Sequence, residues 1–254
     1  MKPKKAPPGS PRVADLSTID DSACLKWPRL IRGTLLRRYK RFLADVKLGN
    51  GHVVTAHCPN SGSMLACCEP GRPVYLSHHK NPKRKLKYTW ELIEMPLSLV
   101  GVNTIVPNRL TKAAIAAGNI PQLSGYDSIR SEVTYGENSR IDLLLENAGE
   151  RCFVEVKNCT LVTDGVACFP DAVTSRGLKH LVELQAQVRQ GHRAVMFYLV
   201  QRMDAGIFQP ADHIDTEYGK ELRRAIHSGV EILVYDVSIN LQGIRIHREL
   251  PHKL

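Results

Sequence analysis

Arg140-Ile141-Asp142-Leu143-Leu144-Leu145 and Phe153-Val154-Glu155-Val156-Lys157 are the stretches on which the architecture of this chain turns. Each is an aliphatic run of strand length with charge set into it. On a strand, residues i and i+2 share a face, so Glu155 and Lys157 point one way while Val154 and Val156 turn into a core. If the two runs are hairpin neighbours, Asp142 lies across from that pair. Two carboxylates converging beside a lysine make a hard oxygen site suited to Mg²⁺. A divalent ion held there orients a water and stabilises charge on a phosphodiester, and the lysine steadies the nucleophile or the developing charge.

The other account of these residues is a surface ion pair at a strand end. Glu-x-Lys by itself arises about once by chance in a chain of this length, so its context carries the weight. It stands inside an apolar strand, a strand headed by Asp142 precedes it, and an amphipathic helix follows. That helix is expected over 174–190, with Leu178, Leu181, Val182, Leu184 and Val188 on one face and Gly191 as its stop. Thr174 or Ser175 caps it. Arg176, Lys179 and His180 fall in its first turns, where backbone N–H groups favour phosphate; the same residues also suit an ordinary solvated helix start. A buried strand at Ala194–Val200, a helix at Glu217–His227 and a strand at Val230–Tyr235 complete a mixed α/β sheet with helices on its faces. Upstream, strands are expected at Val133–Tyr135 and a helix at Arg109–Ala117. An acid, then acid-x-lysine, on neighbouring strands is the signature of the restriction-endonuclease-like PD-(D/E)XK fold.

The N-terminal half reads differently. Short alternating runs at Leu35–Leu48 and His52–His57 are joined by Gly49-Asn50-Gly51, a strong hairpin signal. Pro73–Ser77 and Tyr88–Met95 add further strands. Five or so short strands in about 70 residues suggest a small barrel, and an OB-like barrel fits best. Two basic clusters decorate it. Arg32, Arg37, Arg38, Lys40 and Arg41 interleave with Tyr39 and Phe42, and Lys80, Lys83, Arg84, Lys85 and Lys87 fill the connection between the last two strands. Barrels of this class bind nucleic acid across one face and with their long loops.

The totals agree. The 254 residues carry 35 Lys plus Arg against 25 Asp plus Glu, a net charge of +10. Such an excess favours a polyanionic partner, which binds a basic face by releasing counterions. No stretch approaches the roughly 18 apolar residues of a membrane helix, and residues 1–10 do not form a signal peptide. Seven cysteines, none spaced C-x-x-C, suit a reducing cytoplasm. His57, Cys58, Cys67, Cys68, His78 and His79 lie close in sequence but match no standard zinc spacing, so buried small side chains and surface histidines account for them better.

Taken together, Arg38-Tyr39-Lys40-Arg41-Phe42-Leu43-Ala44-Asp45-Val46, His57-Cys58-Pro59-Asn60-Ser61-Gly62-Ser63-Met64, Tyr88-Thr89-Trp90-Glu91-Leu92, Leu123-Ser124-Gly125-Tyr126, Ser139-Arg140-Ile141-Asp142, Glu155-Val156-Lys157 and Phe169-Pro170-Asp171-Ala172-Val173-Thr174 form a collinear set. In these motifs the chain resembles the sugar fermentation stimulation protein A family, from about Leu25 to the C-terminus. The resemblance implies a cytoplasmic protein with an N-terminal OB-like domain and a C-terminal PD-(D/E)XK nuclease-like domain. It also implies DNA binding without strong sequence preference. Mapped residue by residue, the acidic site falls on Asp142, Glu155 and Lys157, with Glu132 as an additional acid and Mg²⁺ or Mn²⁺ as the ion. Ile141 stands where the generic nuclease motif has proline, and Asn158-Cys159 replaces Ser-Val after the lysine.

The expected organisation is a basic, proline-rich tail at 1–24, an OB-like nucleic-acid-binding domain at 25–96 and a nuclease-like domain at 97–254. Two functions compete: a metal-dependent nuclease with the barrel as grip, and a DNA-binding regulator of sugar metabolism without useful catalysis. DNA is the expected partner, with RNA left open.

Overall fold

The computed structural model describes residues 23–135 and 139–254. The tail expected at 1–24 lies outside the described residues as far as residue 22, and Leu25–Lys26 (β1) already pairs with a distant strand.

The first body is built from Leu30–Tyr39 (β2), Leu43–Leu48 (β3), Val53–His57 (β4), Pro73–His78 (β5) and Tyr88–Met95 (β6). They hydrogen-bond in the order β4-β3-β2-β5-β6, and β6 returns to β4 in parallel through Ala56↔Tyr88 and His57↔Thr89, which closes the sheet. This is an OB-type barrel of five strands, and closure removes the exposed edges that an open sheet of this size would leave. Trp90, Leu35, Leu76, Val46 and Met64 fill it. Cys58 and Cys67 belong to that filling, and burial pushes the Cys67 thiol up to about 12. Leu35–Leu48, read from sequence as one run, is two strands joined at Lys40 and Arg41, both at positive φ (48° and 62°). Phe42 completes this three-residue connection; a hairpin turn with left-handed residues normally announces itself with Asn or Gly, and here neither is present. Ser98–Gly101 (β7) pairs with β6, so the boundary expected at 96 falls in the turn between two paired strands.

The second body follows a helix, Val106–Ala116 (α1), which begins three residues before Arg109 with proline in its first turn, a position that suits the fixed φ of proline. Ser128–Tyr135 (β8), Ser139–Asn147 (β9), Glu150–Cys159 (β10), Arg193–Val200 (β13), Glu231–Ile239 (β15) and Gly243–Glu249 (β16) then form a mixed seven-stranded sheet with β1, in the order β1-β16-β15-β13-β10-β9-β8. Strand β13 runs parallel to both neighbours at the centre of this sheet. Both its faces are covered, hence its unbroken apolar sequence. A second sheet of three short strands, Leu161–Thr163 (β11), Val166–Phe169 (β12) and Ile207–Pro210 (β14), lies beside the main one.

Two apolar clusters lie on either side of the main sheet. One joins Val154, Val156, Val195 and Phe197 to α1 and to barrel residues Tyr75, Leu92 and Leu99. The other joins Phe153, Met196 and Tyr198 to Ser175–Arg189 (α2) and Thr216–His227 (α3), through Leu181, Leu184, Tyr218 and Leu222. The barrel therefore shares a core with one face of the α/β sheet, while α2 and α3 cover the other. Among the described residues no helix is long and apolar enough to cross a membrane.

Candidate active site

Strands β9 and β10 pair antiparallel from Glu150↔Asn147 to Val154↔Leu143, and there the ladder ends. One residue further, Asp142 uses its side chain in place of its backbone. Its Oδ2 accepts the N–H of Val156 at 2.8 Å, and its Oδ1 accepts from Nδ2 of Asn108, in the first turn of α1, at 2.7 Å. Glu155 and Lys157 share the sheet face that meets α2, as their spacing predicts, while Val154 and Val156 enter the opposite cluster.

Glu155 is 2% exposed. Its Oε1 accepts from Lys157 Nζ at 2.7 Å and is hydrogen-bonded to Nδ1 of His180. Arg176 Nε donates to the other ring nitrogen of that histidine at 3.4 Å, and Lys157 Nζ also lies 3.0 Å from its Nδ1. Glu155 Oε2 is buried with no hydrogen-bond partner among the described residues. A buried carboxylate oxygen left bare is costly, and it is the observation here that calls for a cation.

Electrostatics point the same way. Burial, and after it the charge of Glu155, push the Asp142 carboxyl up to about 6, against the Val156 amide, Lys157 and Asn108, which act in the opposite sense. Burial presses Glu155 upward too, but Lys157 and His180 outweigh it and hold that carboxyl below its ordinary value. Asp142 and Glu155 thus repel each other in a poorly hydrated place, an arrangement that a divalent ion relieves.

Asp142, Glu155 and Lys157 are brought together as the sequence predicts. Glu132 does not complete a triad with them: among the described residues no three His, Cys, Asp or Glu side chains gather in a metal-holding group. Glu132 sits at φ 56°, where pairing of β8 with β9 skips from Ser131↔Leu143 to Val133↔Ile141, and it is exposed. His180, read from sequence as a surface phosphate contact, is instead 5% exposed and belongs to the acidic site. Its spacing carried that signal, since Gly177, His180, Leu181 and Leu184 are the buried face of α2. Asn108 had no signal in the sequence.

The basic residues divide into exposed ones and ones committed to hydrogen bonds. Lys80, Lys83 and Lys85 are exposed on the β5–β6 connection, and Lys40 and Arg41 on the β2–β3 turn. Lys87 is tied by its Nζ to the carbonyls of Asn81 and Pro82, and Arg84 donates to Thr89 Oγ1 at 3.3 Å. Arg38 is wholly committed: its guanidinium donates to the carbonyls of Arg41, Asn60, Gly62 and Ser63. Arg37 pairs with Asp45 at 2.8 Å on the surface. On α2, Thr174 is the cap, its Oγ1 accepting from Gly177 N, and Lys179 lies 3.5 Å from Glu183.

Comparison with known proteins gives a consistent picture. The family model described as the sugar fermentation stimulation protein RE domain matches residues 105–243, and that of the SfsA N-terminal OB domain matches 36–102. The chain is 57% identical over 225 residues to a sugar fermentation stimulation protein homolog of Geotalea uraniireducens, covering 89% of this chain and 97% of the relative. A homolog from Geobacter sulfurreducens is 57% identical over 222 residues, covering 87% and 95%. Among solved structures, that of Pyrococcus furiosus SfsA in complex with Ca²⁺ superposes with a TM-score of 0.83 at 26% identity, covering 91% of this chain and 98% of the other.

Proposed function

The chain belongs to the sugar fermentation stimulation protein family, and from that premise we propose that it is a DNA-binding protein with a nuclease-like, divalent-ion-dependent site at Asp142, Glu155 and Lys157. The single observation carrying this is the buried Oε2 of Glu155, without a hydrogen-bond partner among the described residues, beside a second, half-buried carboxylate. Two carboxylates suffice for Mg²⁺ or Mn²⁺, which keeps several waters and takes its remaining ligands from substrate phosphate. The relative from Pyrococcus furiosus was solved with Ca²⁺, another hard oxygen-seeking ion. Glu155 and Asp142 would hold the ion, whose contribution is to activate water and neutralise charge on a phosphodiester. Lys157 Nζ lies within reach of the same space and stabilises negative charge developing there. His180 fixes Glu155, and Asn108 with the Val156 amide fixes Asp142.

The deciding experiment incubates purified protein with single- and double-stranded DNA, and with RNA, in Mn²⁺ or in chelator. Cleavage requiring the ion and vanishing in Glu155→Ala and Lys157→Ala, with binding retained, supports the enzyme; cleavage surviving both changes removes it. A second reading, a regulator that binds DNA without cutting it, draws on the absence of a third acid in this group among the described residues. It requires binding that weakens steeply with salt and no cleavage with any ion.

A further inference from the structure

Two cavities flank the seam between barrel and α/β domain. The larger, about 360 Å³, opens between the barrel loop at Asn60–Gly62 and the segment leading into α2, with Asn158 and Thr160 at the carboxyl end of β10. Ligands of parallel α/β sheets bind at that end of the strands. The smaller, about 280 Å³, lies between His57, His79 and Arg84 of the barrel and the start of α1. A narrow ridge separates them. Pro59 lines the smaller and Asn60 the larger, Asn103 the smaller and Thr104 the larger, and Thr104 N donates to Pro59 O at 3.3 Å.

The two cavities have the same equipment. The larger is lined by Arg41, Arg176 and Phe169, the smaller by Arg84, Arg109 and Trp27. Two guanidinium groups and one aromatic ring are what a phosphate with its base requires. The acids present are already engaged. Glu91 accepts from Ser77 Oγ and Asn103 Nδ2, and Asp171 accepts from Met64 N and, through its carbonyl, from Ser63 Oγ. The walls are also stiff. Arg38 holds the 60–63 loop by its carbonyls, and a Cβ on Gly62 would stand 2.6 Å from the Asp171 carboxylate oxygens, so the domains already touch there. Each cavity is near the small end of ligand pockets, roughly 300 Å³. A duplex, whose major groove alone is about 12 Å wide, is larger than either.

We propose that the two cavities are successive nucleotide subsites on a path for single-stranded nucleic acid, crossing the seam toward Glu155. This rests on the nucleic-acid reading above. Arg176 joins path and site, since it lines the larger cavity and donates to the histidine that holds Glu155.

The test measures anisotropy of a labelled 12-nucleotide oligo-dT and of a duplex of equal length, in chelator at low salt, with the full chain. Three substitutions are compared at exposed positions: the introduced charge Ser61→Glu in the larger cavity, and the charge reversals Arg109→Glu in the smaller and Arg189→Glu at the far end of α2. The single strand is expected to bind about tenfold or more tighter than the duplex, Ser61→Glu and Arg109→Glu to weaken it about tenfold, and Arg189→Glu to change it less than about twofold. Thermal melts confirm that each variant is folded, and either cavity variant suffices if the other is not. Equal or better duplex binding, or an Arg189→Glu loss matching the other two, overturns the path and leaves nucleic-acid binding standing. Failure of both probes to bind overturns the path and the nucleic-acid reading together.

Discussion

The Asp142 carboxylate accepts the amide proton of Val156 at 2.8 Å where the β9–β10 ladder has just ended. The side chain takes over from the missing strand partner, and in doing so it is held beside Glu155. The fold maintains this close pair of carboxylates against their repulsion, as sites built to bind a cation do.

That repulsion makes a stability prediction with a definite sign. The folded-state value of Asp142, about 6, lies above the ordinary 3.8. Ionising it therefore penalises the folded state at all pH values above about 6, and the penalty fades as pH falls toward 4. Asp142→Asn keeps an acceptor for Val156 and removes the charge. It is expected to stabilise the protein at pH 7.5 by on the order of 2 kcal/mol and to change little near pH 4. Thermal melts of both proteins at the two pH values test this; a variant destabilised at pH 7.5 would contradict it.

Divalent ions should act through the same charges. Mn²⁺ is expected to raise the melting temperature at pH 7.5, where both carboxyls are ionised, and much less at pH 5, where Asp142 carries a proton. The pH contrast should disappear in Asp142→Asn. A rise of equal size at both pH values would place the ion elsewhere.

His180 is a positioning residue for Glu155, so removing it should do more than loosen the core. Without its bond, burial is opposed by Lys157 alone, and the Glu155 carboxyl moves up. Should cleavage be observed, His180→Ala would shift the acid limb of its pH profile to higher pH, and His180→Gln, which can still donate, would restore part of it. A uniform loss of rate with an unmoved limb would mean that the histidine serves packing only.

These contacts also mark what sequence can and cannot express. The pairing of Asp142 with Glu155 and Lys157 was legible because strand periodicity fixes which residues share a face. Barrel closure and the buried β13 were legible from turn residues and from an unbroken apolar run. The His180 bond to Glu155 spans 25 residues and the Asn108 bond to Asp142 spans 34, and tertiary packing alone brings such residues together. The turn at Lys40–Arg41 escaped because long cationic side chains occupy a left-handed conformation that usually belongs to Asn or Gly. Charge counting could not separate the committed Arg38 from the exposed Lys83, since both are basic residues next to aromatics or turns.

That separation can be measured by salt titration. Lys83 and Lys85 are exposed, whereas the Lys87 ammonium is held by two carbonyls. Lys83→Ala and Lys85→Ala should each lower the slope of log affinity against log salt by roughly 1. Lys87→Ala should lower it by distinctly less, because its charge stays at the loop it holds. Equal slopes for all three would show that the loop rearranges on binding.

The sharpest contrast is between neighbours on β2. Arg38 donates to four backbone carbonyls across the 41–63 region, at 2.8–3.3 Å, and three of the residues that carry them, Arg41, Asn60 and Gly62, line the larger cavity. Hydrogen bonds from a charged donor to half-buried carbonyls are among the stronger kind, but four on one side chain do not add independently. Arg38→Ala is therefore expected to cost roughly 2–4 kcal/mol, or about 5–10 °C in melting temperature. Arg37 makes one ion pair, with 68% of its side chain exposed, where solvent screens the attraction. Arg37→Ala should leave the melting temperature unchanged. Arg38→Lys separates geometry from charge: a single ammonium cannot span four carbonyls, so it should melt close to Arg38→Ala. A lysine variant as stable as the parent would mean that the charge alone braces the loop.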